Sequence, residues 1–188
     1  MNYKTWLESG HAMTYQFNGG LADRLLCDLT LICPAEFCSD KTEKRIKITA
    51  LWDTGATNSG IDTKLAKELN LIPTGRCPVY DAHGLSIVDN HLVNIQFNNG
   101  MEIEKINATT VNFVDSEVKM LIGMDVIGLG DFFIGKKFIN EKPFTYYSFS
   151  VPSIDRDIDF NEELNSKRRA EASVSYTRQQ IPRKKKKK

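Results

Sequence analysis

Apolar and polar residues alternate along several short stretches of the chain, a pattern typical of half-buried β-strands. The first stretch covers residues 25–33, and the second, residues 46–52, is apolar and rich in residues that favour strands. Alternation returns at residues 93–97 and 109–113. The pattern therefore predicts a protein that is built mainly from β-strands.

Turn and cap signals divide these strands. Asn-Asn-Gly at residues 98–100 is a strong turn signal, and residues 79–88 predict a hairpin whose turn lies near Gly84. Leu65 and Leu69 are one helical turn apart and follow Asp62, a favoured N-cap residue. We therefore expect one short helix between the second strand and the hairpin.

A second dense apolar block covers residues 119–135, and its glycines rule out a long helix. It predicts a buried strand, a turn at Gly123, one helical turn and a closing strand. The aromatic stretch 138–151 predicts further strands that cover an edge. At least seven short strands and one or two short helices predict a mainly β fold, a closed barrel.

Charge is distributed unevenly along the 188 residues. Ten of the residues in 167–188 are Lys or Arg and only Glu171 is acidic, whereas residues 1–166 are net negative. We predict an N-terminal arm (residues 1–23), one folded domain (residues 24–151) and a disordered polar tail (residues 152–188). Only the basic tail offers a surface for nucleic acid, through charge alone, and a simple solvated tail explains it equally well.

Several classes of protein are disfavoured by the sequence. No apolar stretch is long enough to cross a membrane, and the first thirty residues have no apolar signal segment, which predicts a cytoplasmic protein without membrane contact. The four cysteines have neither paired spacing nor histidine companions, so we expect reduced structural thiols and no metal site.

Asp53 stands where the buried strand at residues 46–52 ends and the chain turns. A buried charge without a partner is costly, so a carboxylate at this place needs a purpose. Its neighbours, Thr54 and Gly55, leave room for water and for a second backbone. The sequence around Asp53 is therefore a candidate catalytic turn.

Two blocks about 70 residues apart together resemble the retropepsin-like (retroviral-type) aspartic proteases. They are Ala-Leu-Trp-Asp-Thr-Gly-Ala-Thr at residues 50–57 and Leu-Ile-Gly-Met-Asp at residues 121–125. The resemblance covers about residues 24–135, and its detailed form is closer to cellular and bacterial members than to viral ones. It implies a retropepsin-like acid-protease barrel with a flap hairpin, encoded by a prokaryote or a phage.

The resemblance also implies a site. Asp53 would be the catalytic residue, and support would come from Thr54, Gly55, Ala56 and Gly123. The flap would contact substrate through residues 81–85, namely Asp81, Ala82, His83, Gly84 and Leu85.

Peptide-bond hydrolysis by this route needs two carboxylates around one water, and the chain offers one. We therefore expect a homodimer that cleaves a peptide or protein substrate without a cofactor, at acid to near-neutral pH. The alternative is a catalytically silent barrel that only dimerises or binds peptides.

Asp125 is expected to cap the short helix after Gly123, and Tyr80 either packs in its hairpin or touches substrate.

Overall fold

Ten strands, two short α-helices and one 3₁₀ turn (Ala35–Phe37) lie in the part of the chain that the computed structural model describes, residues 12–17, 21–81, 84–114 and 117–151. The strands are β1 (Ala12–Gln16), β2 (Leu26–Cys33), β3 (Lys44–Trp52), β4 (Gly60–Asp62), β5 (Gly75–Asp81), β6 (Gly84–Phe97), β7 (Glu102–Val111), β8 (Val118–Ile122), β9 (Asp131–Ile139) and β10 (Lys142–Ser150). The helices are α1 (Thr63–Glu68) and α2 (Met124–Ile127). The predicted tail and most of the predicted arm lie outside the described residues, so these domain boundaries stay predictions.

Strand pairing closes the central sheet on itself. The strands follow the order β2-β3-β8-β4-β7-β6, and β6 pairs back onto β2. Strand β5 pairs with β6 outside this ring and completes a hairpin with it. The prediction of a mainly β closed barrel with one or two short helices is confirmed.

The barrel interior is filled by alternate residues of its strands, as the sequence pattern predicts. Leu29 and Leu31 of β2 and Val93 and Ile95 of β6 are almost completely buried. Burial of a side chain of this size contributes about 1.5–3 kcal/mol each, so these alternate positions fix which face of each strand points inwards.

Two parallel pairs lie among the otherwise antiparallel strands. Strand β3 pairs with β8, with Trp52 opposite Ile122, and β4 pairs with β7. Because β3 and β8 run in the same direction, both end at the same edge of the barrel. The segments that follow them, which begin at Asp53 and Gly123, therefore start side by side.

A second sheet of three strands packs against the barrel. Its order is β1-β10-β9, and we call it the accessory sheet. Tyr147 and Phe149 of β10 are fully buried, and the hydroxyl group of Tyr147 donates a 3.0 Å hydrogen bond to the carbonyl oxygen of Leu26. The predicted strands of residues 138–151 thus belong to this sheet, with β1 added along its far side.

The helix prediction after Asp53 is confirmed. Asp62 is the N-cap of α1, and its carboxylate accepts hydrogen bonds from the N–H groups of Lys64 and Leu65. The helix ends at Glu68 with Leu69 as its C-cap, and Asn70 follows with a left-handed φ of 55°, ahead of Pro73.

The strand prediction was wrong in three places. Strand β6 runs without a break through residues that we divided between a hairpin and a separate strand. The sequence pattern also missed β1 and β4, because five and three residues are too few to show a clear period.

Candidate active site

Asp53 directly follows β3, and its backbone is fixed by β8. Its N–H group donates a 2.9 Å hydrogen bond to the carbonyl oxygen of Ile122, the last residue of β8. The bond continues the parallel pairing of Trp52 with Ile122 by one residue. The position of Asp53 is therefore set by the barrel and not by a free loop.

The turn after Asp53 orients its carboxylate. The N–H group of Gly55 donates a 2.9 Å hydrogen bond to Oδ1 of Asp53, and the N–H group of Ala56 donates to the Asp53 carbonyl oxygen at 3.2 Å. A Cβ atom at position 55 would stand only 3.2 Å from Oδ1. Thr54 and Gly55 are exposed, whereas Asp53 and Ala56 are half-buried. One carboxylate oxygen is thus held by backbone while the turn itself faces solvent.

Gly123 lies directly against the segment that leaves this turn. A Cβ atom on Gly123 would stand 2.6 Å from the backbone carbon of Asn58 and 2.9 Å from the nitrogen of Ser59. Such distances are shorter than any real contact of a Cβ atom, so only glycine fits. The N–H group of Met124 donates to the carbonyl oxygen of Ala56 at 2.8 Å. The turn and the second block are therefore one structural unit.

Ser59 joins the two blocks from the interior, and sequence reasoning missed it. Its hydroxyl group donates a 2.8 Å hydrogen bond to Oδ1 of Asp125 and accepts one of 3.1 Å from the N–H group of Gly123. Ser59 is completely buried, and its carbonyl oxygen accepts from the N–H group of Thr109. The only available signal was a serine six residues after Asp53, which a single sequence does not distinguish from other turn serines.

Asp125 does not occupy the cap position that we expected. The N-cap of α2 is Gly123, and Asp125 lies within the first turn of the helix. Its Oδ1 accepts hydrogen bonds from the hydroxyl group of Ser59 and from the N–H group of Val126. Asp125 is therefore a structural carboxylate, as expected, although through a different geometry.

The hairpin of β5 and β6 carries the remaining candidate residues. Asp81 and Gly84 pair at its end, and Leu85 pairs with Tyr80. Ala82 and His83 lie outside the described residues. Tyr80 is 79% exposed, so the expectation that it packs within the hairpin was wrong. The pairing of β5 with β6 holds Asp81, Gly84 and Leu85, separately from the hydrogen bonds that join the Asp53 turn to Gly123.

One face of this hairpin is apolar and open to solvent. Cross-strand partners share a face, and the pairs are Tyr80 with Leu85 and Pro78 with Ile87. All four side chains are exposed, Leu85 to 58% and Ile87 to 72%. Exposed apolar residues that cluster in this way indicate a surface for binding. We call these four residues the hairpin face.

The described residues contain no group of three metal-ligating side chains, and no helix among them is long and apolar enough to span a bilayer. The four cysteines carry free thiols. Burial raises the pKa of Cys27 and of Cys33 to about 12, so both stay protonated and pack as small apolar groups.

Comparison with known proteins finds similar chains among the solved structures. No protein-family model matches the chain, and no curated protein matches it. Among solved structures, the chain is similar to the crystal structure of a retropepsin-like aspartic protease from Rickettsia conorii. The identity is 14% and the TM-score is 0.40, over 73% of this chain and 93% of that chain.

Proposed function

We propose that this protein is a retropepsin-like aspartic endopeptidase that acts as a homodimer. One observation carries the proposal: the Asp53 carboxylate stands at the end of a buried strand and is oriented by the N–H group of Gly55 at 2.9 Å. The same turn leaves Thr54 and Gly55 open to solvent. An oriented carboxylate beside exposed backbone suits a reaction in which a substrate main chain must come close.

The reaction uses one water between two carboxylates. One carboxylate accepts a proton from the water as it attacks the substrate carbonyl carbon, and the other, protonated, donates to the carbonyl oxygen. Two such groups at close range cannot both be ionised, so they share one proton and titrate as a pair. Within one chain, Asp125 is committed to Ser59 and Val126. The second carboxylate is therefore the Asp53 of another copy.

Exposed apolar residues near the turn support assembly with a second copy. Met124 is joined to the turn through Ala56 and is exposed, and Leu129 follows it just beyond α2. Exposed apolar side chains that lie close together are a typical surface for association. A two-fold axis beside the turn would cover them and bring both Asp53 residues together.

The substrate that suits this arrangement is an extended peptide. The hairpin face offers apolar side chains, while exposed strand backbone pairs readily with an extended main chain. We propose that the hairpin closes over the peptide as a flap and prefers apolar side chains next to the cleaved bond. Closure would exclude water and strengthen the electrostatic interactions at the carboxylate pair.

Replacement of Asp53 by Asn tests the proposal. The wild type is expected to cleave members of a peptide library most rapidly at acid to near-neutral pH, and more slowly once the pair loses its shared proton. Asp53→Asn should abolish cleavage while leaving the melting temperature and the oligomeric state nearly unchanged. Asp28→Asn, an exposed aspartate of β2, is the matched control and should cleave like the wild type. Cleavage that survives in Asp53→Asn would contradict the proposal.

The silent barrel remains the competing proposal, and the hairpin face is the observation that favours it. A protein that binds apolar peptides in a fluorescence titration but cleaves none of them at any pH would fit that alternative. Replacement of Leu85 by Ala would then weaken binding, whereas Asp53→Asn would leave it unchanged.

A further inference from the structure

Trp52, the residue before Asp53, lies at the centre of an aromatic cluster. Its indole ring is only 4% exposed and stacks on Phe97 and Phe132, with ring centroids 5.7 and 4.9 Å apart. The rings of Phe149 and Tyr147 lie 4.9 and 6.0 Å from it. A cluster of this size ties the end of β3 to several elements at once.

Three of the four rings around Trp52 belong to the accessory sheet. Phe132 lies on β9, and Tyr147 and Phe149 lie on β10, whereas Phe97 belongs to the barrel strand β6. The accessory sheet therefore contacts the barrel at the residue that precedes the candidate catalytic group. An ordinary core position would receive its neighbours from the barrel itself.

The backbone around Trp52 transmits this packing to Asp53. Successive side chains of a strand point to opposite faces. The buried Trp52 ring therefore fixes the backbone from one face, and Asp53 follows on that same backbone. The N–H group of Trp52 donates to the carbonyl oxygen of Leu25, and that of Asp53 donates to Ile122, both at 2.9 Å. Because these two hydrogen bonds and the packed indole ring of Trp52 all hold the end of β3, this segment has little freedom to shift.

We propose that Trp52 is a positioning residue for Asp53 and that the accessory sheet holds it in place. This inference rests on the proposed protease function. The carboxylate pair must surround one water within a narrow range of distances, and a displacement of about 1 Å at a reacting group costs on the order of 100-fold in rate. A smaller ring at position 52 lets the strand end relax into the vacated space and displaces Asp53. The substrate is held elsewhere, so its binding is affected less.

Two substitutions test the proposal from the two sides of the contact. Trp52→Phe changes the ring next to Asp53, and Phe149→Leu changes its support in the accessory sheet. Both are expected to lower kcat by about 10- to 100-fold and to change KM less than about threefold. Both should also shift the pH profile of kcat, because the spacing of the carboxylate pair changes. In the double variant, the factor by which kcat falls should be smaller than the product of the factors for the two single variants, because both substitutions act through one contact.

Leu31→Ala is the control for loss of stability alone. Leu31 is fully buried in β2 and takes no part in the aromatic cluster, so this variant should lower the melting temperature while kcat and its pH profile stay as in the wild type. All assays are carried out well below the lowest melting temperature. If Trp52→Phe does not fold, Phe149→Leu and the milder Phe132→Leu test the proposal through the same measurements of kcat, KM and pH profile.

The outcomes separate the two proposals. The wild type must first be active. If the folded cluster variants then have the kcat and the pH profile of the wild type, the positioning role alone is overturned. A loss of kcat in Leu31→Ala as large as in the cluster variants would also overturn it. A wild type that cleaves nothing, like Asp53→Asn, would overturn the proposed function itself.

Discussion

A backbone N–H group orients the Asp53 carboxylate directly. Gly55 supplies the N–H group, and its lack of a side chain permits the close approach to Oδ1. Gly123 permits a comparable approach between two backbone segments. At the residue scale, the site is therefore built from positions where a side chain is absent, together with Ser59, which joins the segments through its hydroxyl group.

Ser59→Ala should destabilise the fold because it leaves buried groups without partners. The Gly123 N–H group would lose its acceptor and Asp125 would lose a donor. Loss of such contacts costs about 1–3 kcal/mol, which urea unfolding followed by circular dichroism would measure. Ser86→Ala, at an exposed position of the hairpin, is the matched control and should unfold like the wild type. Equal stability of the two variants would contradict a joining role for Ser59.

His91 should make the fold sensitive to acid. Burial lowers the pKa of His91 below its ordinary value of 6.5, so the folded state favours the neutral ring. The unfolded chain therefore takes up a proton first, and the stability that His91 provides is complete above pH 6.5 and is lost as the pH falls through the lowered folded pKa.

Urea unfolding of the Asp53→Asn protein, which cannot degrade itself, at a series of pH values from neutral to mildly acidic would measure this loss. Addition of His91→Phe removes the titrating ring, so the free energy of unfolding should change less with pH over the same pH range. An unchanged slope after the substitution would mean that other groups carry the acid sensitivity.

At the residue scale, the sequence alone could single out Asp53, Gly55 and Gly123 as candidate site residues, because they lie in the two blocks that carry the family resemblance. It could not identify Ser59, whose partners lie more than sixty residues away in the chain. It also could not decide whether Tyr80 packs in its hairpin or touches substrate, since an alternating pattern does not state which face of a strand meets the core.

In the proposed function, the hairpin of β5 and β6 is the element that contacts the peptide. Strand β5 is an edge strand that tolerates Pro78, and the hairpin face presents its apolar side chains without the support of a core. Its apolar residues are therefore expected to act on substrate affinity and not on stability.

Leu85→Ala should raise KM for apolar peptides by about tenfold, because removal of an apolar contact of this size costs roughly 1–3 kcal/mol in binding. Its melting temperature should equal that of the wild type, since the side chain is exposed. Val114→Ala, an exposed apolar residue outside the hairpin, is the matched control. An unchanged KM in Leu85→Ala would exclude the hairpin face from substrate binding.

At the element scale, the sequence predicted most of the strands that alternate over five or more residues, and it missed pairings that only the closed barrel creates. The single strand β6 pairs with β5 near one end and with β2 near the other. The polar residues Asp89 and Asn90, at the end of the region that pairs with β5, interrupt the alternation. Long-range pairing therefore decides the continuity of β6, and local pattern does not contain that information.

The whole molecule combines a closed barrel with an accessory sheet that packs on it through Trp52. The barrel could be predicted from strand number and from the two blocks that it brings together. Strand β1 of the accessory sheet could not, because it lies more than 120 residues from its partner β10 and is too short to show a clear alternation. At this scale, the proposed reaction centre is half complete, since one chain supplies one Asp53.

Mixing experiments should expose this incompleteness directly. If each active dimer needs two intact Asp53 residues, addition of an equal amount of Asp53→Asn protein, followed by subunit exchange, should reduce the activity of a fixed amount of wild type to about one half. An excess of about tenfold should reduce it to about one tenth. Specific activity should also fall when the wild type alone is diluted, because the dimer dissociates. Asp28→Asn protein, added in the same amounts, should not inhibit. Activity that is indifferent to Asp53→Asn protein and to dilution would mean that a single chain carries the complete centre.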